Sequence, residues 1–163
     1  MSGFRHESAR AAGFYMPAEW EPHACCWMAF PASKPVWGDM LGRAQAGYAN
    51  VANAIAAFEP VRLLTPPEVV DRARSLCGAT VEIIPWDLDD AWMRDMGPNF
   101  VRNADGEVAA SIFHFNAWGQ KYRWWRKDAA VGHRLAEALG MRTFSAPIFM
   151  EGGGINTDGE GTL

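Results

Sequence analysis

No apolar run in this sequence approaches the roughly 20 residues needed to span a bilayer. The opening stretch, MSGFRHESARAAGFYM, has no apolar core of the kind a secretion signal needs. Cysteine is scarce: three are present, and the neighbours Cys25 and Cys26 bridge each other only with strain, which leaves no disulfide framework. A reducing, cytoplasmic setting is expected. Lys and Arg form no run and the net charge is -4, which gives no support for a nucleic-acid partner, and none is expected. The four histidines have no His-x-x-x-His spacing and no Cys-x-x-Cys is present, so no metal is expected. GGGINTDGEG lacks the Gly-Lys-Ser/Thr of a phosphate cradle, and there is no Gly-x-Ser-x-Gly elbow for a serine hydrolase. No cofactor is called for.

What remains is a chain of 163 residues, 49% hydrophobic and 21% charged, the balance of a soluble globular domain. Eight Trp and nine Phe are many for this length. They make either an aromatic-rich core or a cleft walled by indoles, where a cation is held against the ring faces.

Residues 1–15 read as a mobile lead-in and 16–163 as the folded part. HACCWMAFP (23–31) fits a buried strand ended by Pro31. Tyr48, Val51, Ala52, Ile55 and Phe58 recur at helical spacing. VRLLT (61–65) and TVEII (80–84) are strands, separated by a helix to about Leu76. Thr65-Pro66-Pro67-Glu68 carries the pattern of a capping box for that helix. NFVRN and EVAASIFHF flank Ala104-Asp105-Gly106 as a hairpin. Val131, Leu135, Ala138 and Leu139 mark another helix within 126–139, followed by RTFS.

The order helix, short strand, proline, acidic residue occurs at 67–95 and again at 126–151. A hairpin lies between the copies. This predicts repeated units of two strands, a helix and a strand, with an ordinary α/β sandwich as the alternative.

DDAWMRDMGPNF (89–100) packs mixed charges around one indole. Asp95 and Glu151 each follow a strand–proline unit and precede glycine, which lets backbone approach a ligand closely. If the two carboxylates converge, they make an anionic pocket suited to a guanidinium, whose planar N–H fork matches a carboxylate. Alternatively, both acids cap turns or pair with Arg94 or Arg102. Cys25 and Cys26 sit in an apolar run, where a thiol's pKa rises.

FYMPAEWEPHACCWMAFP, DDAWMRDMGPNFV, FNAWGQKYRWW and MEGGGINTDGEGTL together resemble the agmatine deiminase branch of the guanidine-modifying (pentein) superfamily, from about Met16 to Leu163. The resemblance implies a five-bladed α/β propeller built of ββαβ blades, of which this chain would be an incomplete N-terminal portion of about two blades. It implies hydrolysis of agmatine to N-carbamoylputrescine and ammonia by a Cys nucleophile and a His, with carboxylates holding the guanidinium. Asp95 and Glu151 match the binding carboxylates, and Trp92 would wall the pocket. The family's nucleophilic Cys and His-x-Asp element match nothing here and are expected beyond Leu163, so no catalytic residue is assigned in this chain. Gly154 and Asn156 stand where the family pattern leads one to expect Ser and His. A bacterial peptidylarginine deiminase and a non-catalytic half-propeller are the rival readings. The faces of an incomplete propeller would be apolar, so self-association as a homo-oligomer is expected.

Overall fold

The computed structural model describes residues 7–163. Its elements run β1 (Cys26–Ala29), α1 (Lys34–Trp37), α2 (Leu41–Ile55), β2 (Val61–Thr65), α3 (Val70–Leu76), β3 (Val81–Pro85), α4 (Met93–Met96), β4 (Asn99–Arg102), β5 (Val108–His114), α5 (Ala117–Gln120), α6 (Arg126–Ala129), α7 (Val131–Ala138) and β6 (Thr143–Phe149). They form two three-stranded sheets, in the orders β1-β2-β3 and β4-β5-β6. The chain divides into two compact units. One comprises Pro22–Met93 with Trp124–Asp128; the other comprises the described part of Met1–Glu21 with Arg94–Arg123 and Ala129–Leu163.

In the first unit all three strands are parallel, with Met28, Leu63 and Ile83 side by side across the sheet. VRLLT becomes the central strand because it can be covered on both faces: all of it except Arg62 is buried. Phe30, Leu63, Val61 and Val81 pack with Ala49 and Ala52 of α2 and Ala73 of α3. Alanine at those three helical positions lets the helices lie close on the sheet. Full burial of Phe30 and Leu63 contributes about 2–3 kcal/mol each. Arg62 makes its own ladder. It sits opposite both Trp27 and Glu82, with its guanidinium 5.2 Å from the Trp27 ring centre and its Nε donating to Glu82 Oε2 at 3.0 Å.

The expected capping box does not form. Thr65 is fully buried, and its hydroxyl donates to the Leu63 carbonyl oxygen at 3.0 Å. α3 starts instead through a 3-10 turn at Pro67–Val69. Pro66 stands between Thr65 and that turn in an extended conformation (ψ 135°), which takes Thr65 out of capping reach.

The second unit has the expected order of two strands, a helix and a strand. β4 and β5 are an antiparallel hairpin, and β6 adds parallel to β5 after α7. β5 is covered on both faces. Ala110 and Ile112 meet Ala136 of α7, while Ala109 meets Phe14, Val101 and Phe144. Gly132 permits the α7 contact, since a Cβ there would stand 3.2 Å from Ile112 Cγ2. Of the expected lead-in, residues 1–6 lie outside the described residues. Of the rest, Phe14 is buried and Tyr15 bridges to Arg102.

The two copies of the repeat are therefore α3–β3 and α7–β6, each in its own sheet. They are not alike in detail. The first sheet is assembled as strand–helix–strand–helix–strand, all parallel, rather than as ββαβ. The helical stretch 126–139 is divided at Ala130 into α6 and α7. The β5–β6 register also shifts between Ile112 and His114, which pair with Ser145 and Phe149. Pro147 lies in the bulged segment, where the N–H it lacks is not needed by the ladder.

Candidate functional site

Asp95 and Glu151 both belong to the second unit. Asp95 is on the short helix α4. The helical turn arises because Met96 turns into the interior, 3% exposed, ahead of the Gly97-Pro98 break. Gly132 comes close to this break as well: a Cβ there would lie 3.6 Å from the Met96 carbonyl oxygen and 3.7 Å from the Pro98 nitrogen. Glu151 follows β6 in extended conformation (φ -96°, ψ 141°) and leads into a 3-10 turn at Gly152–Gly154. Met150 N–H donates to the His114 carbonyl oxygen at 3.2 Å, so this turn leaves the sheet at the C-terminal ends of parallel β5 and β6. That end of a parallel pair is where open α/β sheets commonly place ligands.

Gly153 N–H donates to Asp95 Oδ1 at 3.1 Å. A Cβ on Gly153 would overlap that same oxygen, and a Cβ on Gly152 would overlap the Arg94 carbonyl oxygen. The Glu151 turn thus lies directly on the Arg94–Asp95 backbone, at a separation only glycine allows. Both carboxylates are partly exposed. An ionised carboxylate has about four lone-pair sites, so one bond to Gly153 leaves Asp95 ample capacity to accept from a planar cation. The turn-bracing alternative holds for Asp95 in this one contact. The alternative of pairing with the nearby arginines does not: Arg94 pairs with Glu19, and Arg102 reaches Glu21 at 3.8 Å.

Trp92 belongs to the first unit. Its Nε1 donates to Asp90 Oδ2 at 2.5 Å, and Trp37 Nε1 donates to Asp90 Oδ1 at 2.8 Å. The two indoles stack at 6.0 Å with 14° between their planes. Asp128 Oδ1 accepts from the N–H groups of Asp89 at 2.7 Å and Asp90 at 3.2 Å, and Lys127 N–H donates to Asp89 Oδ2 at 2.8 Å. Burial pushes the Asp90 carboxyl upward against the indole hydrogen bonds. It pushes Asp128 up to about 7 against the two backbone N–H groups. The crowded charges of 89–95 are thereby each accounted for by a partner.

Sequence reasoning does not single out Asp90 and Asp128; the one local hint is three acids around one Trp. It also does not anticipate α5, a single left-handed turn. Ala117, Trp118, Gly119 and Gln120 have φ of 54°, 55°, 79° and 64°. Asn116 Oδ1 accepts from Gly119 N–H at 2.8 Å and braces it. The Asn-x-x-Gly spacing is the one local signal for such a turn.

Burial raises the thiol pKa of Cys25, Cys26 and Cys77, as expected for apolar surroundings. Among the described residues no group of acids, His and Cys is arranged to hold a metal ion, and no helix is long and apolar enough to cross a membrane.

Residues 15–163 match the profile of a family described as Porphyromonas-type peptidyl-arginine deiminase. A candidate agmatine deiminase of Legionella pneumophila is 44% identical over 153 residues, 93% of this chain and 44% of that protein. One from Mycoplasma capricolum is 40% identical over 167 residues, 100% of this chain and 46% of that protein. The solved structure of the agmatine deiminase of Enterococcus faecalis superposes with a TM-score of 0.91 at 31% identity, covering 95% of this chain and 44% of that one. A substrate-bound agmatine deiminase of C. jejuni gives 0.79 at 27% identity, with 91% and 44% covered. The chain thus spans a little under half the length of the relatives it matches, and its α/β fold is theirs.

Proposed function

We propose that this chain, which belongs to the Porphyromonas-type peptidyl-arginine deiminase family, is the guanidinium-holding part of an agmatine deiminase. The whole protein would hydrolyse agmatine with water to N-carbamoylputrescine and ammonia, a step in putrescine formation, in the cytoplasm. Asp95 and Glu151 hold the guanidinium nitrogens, and Trp92 contacts the substrate by its place in the Trp-Met-Arg-Asp motif. The observation that carries this reading is the hydrogen bond from Gly153 to Asp95, which ties the Glu151 turn to the motif aspartate. A planar cation with N–H groups on several sides suits two carboxylates on neighbouring segments.

Binding does not by itself make a reaction. Carboxylates that stabilise the cation equally in ground and transition states leave the chemical step as slow as before. That step needs a thiolate and a proton carrier. Cys25, Cys26 and Cys77 match no nucleophile of the family pattern, and burial disfavours the thiolate at each. On this reading the nucleophile belongs to another part of the whole protein.

The test is ammonia release by the whole protein from agmatine and, separately, from a peptidyl-arginine. Turnover of agmatine with little on the peptide is the expected result. Preference for the peptide, or turnover unchanged by Asp95→Asn and Glu151→Gln together, overturns the reading.

A further inference from the structure

On the reading of Asp95 and Glu151 as the carboxylates that receive the substrate, we propose that Glu19 keeps their site open by holding the Arg94 guanidinium away from Asp95. A site for a guanidinium has a competitor of its own when the neighbouring residue is an arginine, and Arg94 directly precedes Asp95. A Cβ on Gly153 would overlap Asp95 Oδ1 and lie 3.8 Å from Arg94 Cγ, so the stem of the arginine and the carboxylate flank one point. From there the flexible remainder of the side chain can turn to the same carboxylate, with which a guanidinium pairs bidentately. In the structure it pairs with Glu19 instead.

Glu19 arrives on a strap running from Phe14 to Glu21, in the same compact unit as Arg94, Asp95 and Glu151. Phe14 packs with Val101, Ala109 and Phe144. Tyr15 N–H donates to the Arg102 carbonyl oxygen, and Arg102 N–H to that of Tyr15, each at 2.9 Å. Ala18 is buried, and a Cβ on Gly159 would stand only 2.8 Å from its nitrogen, so the turn after Asp158 lies on the strap. Glu21 reaches Arg102 at 3.8 Å. Arg94 and Arg102, the two arginines closest to Asp95 in sequence, are thus both met by glutamates of one anchored segment. Glu19 and Arg94 are each about half exposed, and such a pair adds little stability. What it changes is the position of a positive charge. Without Glu19, Arg94 would occupy Asp95 for part of the time. Substrate would bind only the open fraction, which raises KM by the inverse of that fraction and leaves the chemical step alone.

The experiment uses the whole protein as wild type, Glu19→Gln, Arg94→Met and the double variant. It reads KM and kcat for agmatine, with the thermal midpoint as the measure of folding. Glu19→Gln should raise KM about five- to tenfold, with kcat and midpoint nearly unchanged. Arg94→Met should leave KM at or below the wild-type value, because the competitor is gone. The double variant should return KM to that of Arg94→Met. A pair that only braces the fold gives a different pattern: either single change is harmful and the second does not rescue the first. An unchanged KM in Glu19→Gln, or a double variant with KM as high as Glu19→Gln, overturns the inference and leaves the agmatine reading standing. A large fall in the midpoint of Glu19→Gln assigns the pair to the fold and overturns it as well. A wild-type protein with no turnover of agmatine removes the functional reading and this inference with it.

Discussion

Gly153 N–H and Asp95 Oδ1 meet at 3.1 Å, and the turn carrying Glu151 rests through this bond on the turn carrying Asp95. The contact separates two kinds of damage. At Gly152 a Cβ would strike the Arg94 carbonyl oxygen and stand 3.0 Å from Asn99 Oδ1. Backbone cannot swing aside, so Gly152→Ala should cost about 2 kcal/mol or more, read by urea unfolding. At Gly153 the Cβ would strike only the Asp95 carboxylate, a side chain that can rotate. In the whole protein, Gly153→Ala should therefore keep most of the stability and lose the proposed agmatine turnover. Equal stability losses at the two positions would contradict the backbone–side-chain distinction.

Asp95→Asn keeps the shape and an oxygen that accepts from Gly153 but removes the charge. In the whole protein it should leave the unfolding midpoint nearly unchanged and lower turnover at least about 100-fold, the loss of a charge-assisted bond to the cation together with its alignment. Normal kinetics in this variant would return Asp95 to bracing the turn.

Stability should fall as pH rises through Asp128. Its carboxyl, 3% exposed, is raised from 3.8 to about 7, chiefly by burial, and the neighbouring charges of Asp89 and Asp90 push the same way. The folded state thus keeps a proton that the unfolded chain releases at about pH 4. Stability is full below that pH, declines up to about pH 7 and is flat beyond, by about 1–3 kcal/mol for this group. Asp90, also raised, adds to the same trend. Asp128→Asn can still accept from Asp89 and Asp90 without a charge to desolvate. Urea midpoints at several pH values should show a flatter profile in this variant; an undiminished slope would mean another group is responsible.

The left-handed turn makes a conformational prediction. Gln120 is exposed at φ 64°, where a Cβ is crowded by the following carbonyl. Gln120→Gly should stabilise by about 0.5–1 kcal/mol, and Asn116→Ala should destabilise by about 1 kcal/mol through loss of the bond from Gly119. Thermal unfolding of the two variants should move in opposite directions.

The 163-residue chain by itself should release no ammonia from agmatine: none of Cys25, Cys26 and Cys77 matches the nucleophile of the family pattern, and burial disfavours the thiolate at each. Turnover above background that vanishes when Cys25, Cys26 and Cys77 are all replaced by Ser would show that one of them is the nucleophile after all.

Strands such as VRLLT and EVAASIFHF were legible in the sequence because buried β-structure needs runs of branched and apolar residues, a property that neighbours in sequence declare. So were the hairpin at Asp105-Gly106 and the two acids placed before glycine. Thr65 shows where local reading stopped: its hydroxyl had two partners within reach, and burial of β2 with the extended Pro66 chose the Leu63 carbonyl. Asp90 shows a larger gap. Its meaning depends on Trp37, 53 residues away in sequence, and on the support of Asp128 at a separation of 38. Composition declares that such groups exist. Which buried carboxylate receives which N–H is decided only when the chain is folded, because an unpaired polar group in the interior costs more than any local preference can return.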